Sequence, residues 1–303
     1  MKRKKYIYLV ILITLIISIS FLWKSKNDIE SGLYGQTSEV INAKNIFPYT
    51  EKIEPKIAVI DTGVKIDNSY LKNSNISQDY LDELSQTSKQ MHGTMVLGIL
   101  ASDGNGETEP GGLIPKSNIL SIQSGTDMGM TTNQLIKSIN IAVQKKAKII
   151  NISLGTTKNS KELQSTVSNA LKKGIIIIAS AGNESISQDY YPAAYKGVIS
   201  VGSINNKKEI TEEVNPSNID IFAPGEQLIT STSTKDEKTY FSGNSAATPI
   251  VTSTVAILVN ENKNLTSEDI KKILNSSSDT VTYKQHKIKV LNVKQALKQA
   301  SNI

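Results

Sequence analysis

Cysteine is absent from the 303 residues. No disulfide therefore staples the fold, no thiol serves as nucleophile, and neither a Cys-based zinc site nor an iron–sulfur cluster is available. Histidine is nearly as scarce: there are two, His92 and His286. Internal repeats and low-complexity linkers are missing as well, so nothing splits the body of the chain. An excess of one charge is missing once the N-terminus is set aside. Six of the 34 Lys and Arg (Lys2, Arg3, Lys4, Lys5, Lys24 and Lys26) flank the first hydrophobic stretch, which leaves 28 basic residues against 28 Asp and Glu. A neutral body lacks the basic footprint of a nucleic-acid binder, and no nucleic-acid partner is expected.

What is present begins with that hydrophobic stretch. Ile7 to Trp23 is uncharged for seventeen residues, on the border between a signal-peptide core of about 7–15 residues and a spanning helix of about 17–25. No A-x-A follows it; the nearest permissive sites are Ser18-Ile19-Ser20, inside the apolar run, and Ile29-Glu30-Ser31, far downstream. An uncleaved anchor is favoured over a cleaved leader, and the flanking Lys and Arg place everything after Lys26 outside the membrane. A buried core helix fits poorly, because a terminal helix apolar on every face has few partners in a globular domain. The expected organisation is residues 1–28 as signal or anchor and residues 29–303 as one domain.

With 38% hydrophobic and 20% charged residues, that body has the composition of a folded protein. Apolar β-branched runs alternate with amphipathic stretches, the pattern of an α/β fold around a mostly parallel sheet. The spacing predicts strands over 56–60, 119–123, 147–152, 174–180 and 198–201. Helices are predicted over 92–101, 132–145, 160–173, 246–260, 267–275 and 293–300. A strand as uniformly apolar as Ile175-Ile176-Ile177-Ile178 implies burial on both faces. Segments 101–112 and 205–217, rich in Asn and Gly, read as surface loops. Capping signals precede two helices, at Thr266–Asp269 and around Ser160.

Three segments carry the chemistry. KIAVIDTGV puts Asp61 at the carboxyl end of a buried strand, where open α/β sheets build their ligand sites. MHGTMVLGIL puts His92 at a helix start, with Gly93 permitting close backbone approach. FSGNSAATPIV puts Ser245 after a Gly-containing turn as a long apolar helix begins, so free N–H groups face its hydroxyl. Each alone has a plainer reading: a turn-forming Asp, a structural His, a capping Ser. Together they fit one mechanism. A Ser hydroxyl needs a base to accept its proton, an imidazole with a pKa of about 6.5 is suited to that, and a buried carboxylate fixes the imidazole tautomer. His286, in the charged run YKQHKIK, reads as an exposed surface residue.

In the order Asp, His, Ser these segments resemble the triad motifs of the subtilase (subtilisin-like serine protease) family. The resemblance covers nearly the whole body, from LYGQTSEVINA to the final helix, and implies a three-layer subtilisin-like fold. AGNES resembles the segment bearing the oxyanion-hole Asn, which implies that the Asn183 side chain and the Ser245 N–H hold the oxyanion. NISLG resembles the segment lining the primary specificity pocket, implying that Ser153, Leu154 and Gly155 contact substrate, and Gly182 is expected among the substrate-binding residues. Asp127-Met128-Gly129 occupies the place of the edge strand that binds substrate upstream of the cut. Tyr190 aligns with the base of the pocket, which a Tyr would shorten, and Glu184 would favour a basic or polar residue there. The resemblance implies a monomeric serine endopeptidase acting on a peptide or protein substrate, with no cofactor needed for chemistry.

The chain also departs from the family pattern. Asn244, Ala246 and Leu97 stand where Thr, Met and Ala are usual, and none of these removes a reacting group. Tyr70 fills the position of a carboxylate in the family's strongest calcium site. Asp103, Asn105, Glu107 and Glu109 still offer hard oxygen ligands in a nearby loop, so a structural calcium and a solvated acidic loop both remain open. Tyr34-Gly35, about thirty residues before Asp61, resembles the start of a mature domain, so no separate propeptide is expected. A degradative enzyme and a processing protease for exported peptides compete, and the anchor leans toward processing. Asp61-Thr62-Gly63 also matches an aspartic-protease signature, but that chemistry needs a second carboxylate motif and none occurs. A catalytically inactive subtilase-like binding module is the alternative from another class.

Overall fold

Asp61 ends a strand in the interior of a nine-stranded sheet, third from one edge, and the fold is best followed outward from there. The computed structural model describes residues 33–81, 84, 90–106, 108–127, 129–183 and 188–301. The N-terminal hydrophobic segment, Glu107, Met128 and Glu184 lie outside the described residues. Among the described residues no helix is long and apolar enough to cross a membrane.

In chain order the elements are α1 (Leu33–Val40), β1 (Ile53–Asp61), β2 (Ile76–Tyr80), α2 (Met91–Ala101), β3 (Ser117–Gln123), α3 (Thr132–Gln144) and β4 (Ile149–Ile152). They continue with α4 (Lys161–Lys172), β5 (Ile176–Ser180), β6 (Ile199–Ile204), β7 (Ile221–Pro224), β8 (Leu228–Ser231) and β9 (Lys238–Phe241). The chain then adds α5 (Asn244–Glu261), α6 (Ser267–Ser277), β10 (Asp279–Tyr283), β11 (His286–Val290) and α7 (Val293–Ala300). The sheet runs β10-β11-β7-β6-β5-β4-β1-β3-β2. It is parallel throughout except for the β10–β11 edge hairpin. The pair β8–β9 forms a separate antiparallel ribbon.

The order reverses at β1: β3 and β2 lie on one side of it, β4 through β7 on the other. The carboxyl end of a strand at such a switch point opens a crevice between diverging connections. Asp61 stands there.

Both faces of the sheet are covered, which is why its strands read as unbroken apolar runs. Ile57 and Val59 of β1 belong to one core cluster with Val96, Ile99, Ile250 and Val255 from α2 and α5. Ala58 and Ile60, one step along in the pleat, belong to the opposite cluster with Leu135, Ile139, Leu163 and Val167 from α3 and α4. Successive strand side chains point to opposite faces. Each fully buried Ile contributes about 1.5–3 kcal/mol relative to exposure. The result is a three-layer α/β sandwich.

Helix α5 is buried from Asn244 to Val259. Its buried hydroxyls are satisfied: Thr248 donates to the Asn244 carbonyl at 2.7 Å and Ser253 to Pro249 at 2.9 Å within the helix, and Thr252 to Asn151 Oδ1 of β4 at 2.8 Å. The capping signals also fold as read. Thr266 and Asp269 form a reciprocal capping box on α6, and Ser160 accepts the Leu163 N–H on α4.

Candidate active site

The Asp61 carboxylate is 1% exposed. Its Oδ1 accepts the Thr62 N–H at 2.7 Å and lies 2.8 Å from His92 Nδ1, while Oδ2 is buried without a hydrogen-bond partner among the described residues. A buried carboxylate with one oxygen unpaired favours positive charge on the imidazole it touches.

His92 is the second residue of α2, and Gly93 lets that helix approach β1. A Cβ at Gly93 would fall 2.1 Å from the Gly63 carbonyl oxygen and 3.2 Å from Asp61 Cβ. The Gly93 N–H donates to Thr62 Oγ1 at 2.9 Å, and the His92 N–H donates to Asp127 Oδ1 at 3.2 Å. The Phe241 ring stands edge-on to the imidazole with centroids 5.3 Å apart. The ring remains 21% exposed. Burial alone would push the imidazole pKa down, but the charge and hydrogen bond of Asp61, aided by Asp127, hold it above its ordinary 6.5.

Ser245 is the second residue of α5, and the cap position belongs to Gly243. Its hydroxyl donates to the Ser153 carbonyl at 2.6 Å, so the segment Ser153-Leu154-Gly155 at the end of β4 touches the hydroxyl directly. Its N–H lies in the first helical turn, whose donors lack intrahelical acceptors. Pro249 has no N–H with which to bond the Ser245 carbonyl four residues back.

Asn244 explains itself in contacts. Its N–H donates to Asn183 Oδ1 at 3.2 Å, its side-chain amide donates to the Gly182 carbonyl, and its Oδ1 accepts the Ser203 N–H at 2.6 Å. One residue thus ties the Ser245 turn to the Gly182-Asn183 loop. With Oδ1 held, the amino end of the Asn183 amide is left to donate. A Cβ at Gly243 would lie 3.2 Å from Asn183 Nδ2 and 3.3 Å from Glu212 Oε1, which brings a carboxylate to the same spot. Burial raises the Glu212 pKa above 4.5.

Tyr190 lies where the loops after β4 and β5 face one another. A Cβ at Gly155 would meet its Cε1 at 2.5 Å, and one at Gly182 would meet its Cγ at 2.7 Å. In the segment expected at 127–129 as an edge strand, Gly129 exchanges backbone hydrogen bonds with Thr126, the Thr126 N–H to Gly129 O at 3.1 Å and the Gly129 N–H to Thr126 O at 2.8 Å. His286 is exposed at the start of β11, away from this cluster.

The contacts of Asp127 and Glu212 were not anticipated. Both lie on loops whose placement depends on tertiary contacts, and no periodic signal marks them. Asp103 Oδ2 accepts from Asn73 Nδ2 at 2.5 Å, and Asn105 Oδ1 caps the Thr108 and Glu109 N–H groups at 3.0 and 3.1 Å. Among the described residues no three His, Cys, Asp or Glu side chains converge to hold an ion; Glu107, one of the four expected ligands, lies outside the described residues.

Residues 52–296 match the subtilase family model. The chain is 35% identical over 220 residues to the major intracellular serine protease of Bacillus subtilis (strain 168), with 67% of each protein covered. It is 31% identical over 231 residues to the thermophilic serine proteinase of Bacillus sp. (strain AK1), covering 75% of this chain and 57% of that protein. It therefore spans between just over half and two thirds of the length of these relatives. Among solved structures, a cold adapted subtilisin-like serine proteinase superposes with a TM-score of 0.69 at 25% identity, covering 78% of this chain and 88% of that one. The chain belongs to the subtilase family of serine endopeptidases.

Proposed function

We propose that this chain hydrolyses peptide bonds through Asp61, His92 and Ser245, with Asn183 as oxyanion donor. The observation that carries the reading is the 2.8 Å contact between buried Asp61 Oδ1 and His92 Nδ1. That contact orients the ring so that Nε2 is the nitrogen left to act as base. Ser245 attacks after its hydroxyl turns from the Ser153 carbonyl to His92. The proton passes to Nε2, the acyl carbon bonds to Oγ, and the imidazolium then protonates the leaving amine. Water deacylates the enzyme by the same route in reverse. The Ser245 N–H and Asn183 Nδ2 stabilise the oxyanion, and losing one such donor costs roughly 10²–10³ in turnover.

Substrate backbone would pair with Ser153, Leu154 and Gly155 on one side and with Gly129 on the other, with Gly182 and Tyr190 bounding the slot for the residue before the cut. Residues 7–23 would anchor the domain outside the membrane, which suits processing of a few exported peptides better than general degradation.

A fluorophosphonate probe should label the wild type and fail to label Ser245→Ala; absence of wild-type labelling in folded protein overturns the reading. The second reading, an inactive binding module, is favoured by one observation only: the Ser245 hydroxyl points to Ser153 and not to His92. The same probe separates the two.

A further inference from the structure

Tyr190 sits inside the slot beside the proposed nucleophile. Its Cδ1 would lie 2.9 Å from a Cβ at Gly155 and 3.1 Å from one at Gly182. One ring carbon thus spans the gap between the two backbone segments, which leaves room for a single planar group. The walls are the same segments that meet the Ser245 hydroxyl, through the Ser153 carbonyl, and the Asn183 amide, through Asn244. A peptide whose scissile carbonyl lies against Ser245 and Asn183 would direct its P1 side chain toward this gap, and the protein's own ring already fills it.

The backbone that carries the ring is tied down at three points. Just after it, Thr156 and Tyr191 exchange two backbone hydrogen bonds, at 2.9 and 2.8 Å, across the Gly155 segment. Just before it, Asp189 Oδ1 accepts from Asn218 Nδ2 at 3.1 Å. Its own carbonyl accepts the Ala194 N–H at 2.9 Å. These ties fix the Tyr190 backbone beside the slot, so the ring is carried by the wall itself.

We infer that Tyr190 restricts this protease to substrates with a small P1 residue: Gly, Ala or Ser. This rests on the serine-peptidase reading above and deepens it. A Cβ at 155 would meet the Tyr191 carbonyl oxygen at 2.5 Å as well as the ring, and Gly182 has a φ of +80°, so both glycines are needed by the backbone as well as by the ring. Discrimination by a pocket that lacks room for one methylene runs at about 10- to 200-fold, so an aromatic or Leu at P1 is expected to fall at or beyond the upper part of that range.

The test is a series of internally quenched peptides identical except at P1, compared by kcat/KM. Wild type should cleave the Ala and Ser peptides at least about 10-fold faster than the Leu and Phe peptides. Tyr190→Ala should invert that ratio, whereas Tyr190→Phe, which keeps the ring, should preserve it. Melting temperatures of the variants separate loss of fold from change of selectivity. Comparable wild-type rates for Phe and Ala, or an unchanged profile in folded Tyr190→Ala, overturn the inference. Fluorophosphonate labelling of wild-type Ser245 keeps the two failures apart: no labelling sinks the protease reading, while labelling with a large-P1 profile sinks this inference alone.

Discussion

The contact between Asp61 and His92 has consequences that a pH titration reads directly. Because Asp61 holds the imidazole pKa above 6.5, the base is neutral only at higher pH, and the acidic limb of kcat/KM should lie above 6.5. Asp61→Asn should lower kcat by about 10⁴ and move that limb downward. The same linkage applies to stability. A raised folded-state pKa contributes stability fully present below the unfolded pKa and lost as pH rises through the folded value. The loss of Tm in Asp61→Asn should therefore be larger at pH 5 than at pH 9, and equal losses at both would show that the two groups are not coupled. At this scale the candidate site was legible where residue type and local pattern sufficed. An Asp at the end of an apolar strand and a Ser at the start of an apolar helix announce themselves. Asp127 beside the His92 N–H and Glu212 beside Asn183 do not, because their loops are placed only by folding.

At the scale of elements, the fit between α2 and β1 rests on one missing side chain. Gly93→Ala would drive a methyl onto the Gly63 carbonyl, backbone that has no rotamer with which to yield. A cost of about 1–3 kcal/mol is expected for such overpacking, read as a lower Tm, together with lost turnover as His92 shifts from Asp61. An unchanged Tm and kcat would show that the helix has slack. Long apolar elements were legible to within a few residues: α3 and α7 start where the spacing places them, and β5 begins two residues later than predicted, after Gly174 and Ile175. The missed elements have physical reasons. β2, ISQDY, is an edge strand with no buried residue, so it carries no apolar signature. β8 is only four residues long, and its partner β9 buries Phe241 alone. β10 and β11 alternate, but their buried residues, Ile288 and Val290, are few.

For the whole molecule, the sheet order makes one crevice and the chain fills it from three distant places. The N-terminal run of seventeen uncharged residues would be roughly 25 Å long as a helix, close to the ~30 Å of a bilayer core. The proposed anchor predicts that protein and activity sediment with membranes, resist extraction by salt and are released by detergent. A mature N-terminus downstream of Lys26 on protein recovered from the medium would overturn it.

The Ser245 hydroxyl meets a carbonyl 92 residues earlier in the chain, and its helix threads the core last among the elements that build the site. During synthesis, Asp61 and His92 therefore emerge well before the nucleophile does. The growing chain carries no cutting power until α5 has been made and buried between sheet and α2. On the proposed mechanism, reactivity is therefore switched on late, by a long-range packing step of the chain's own folding.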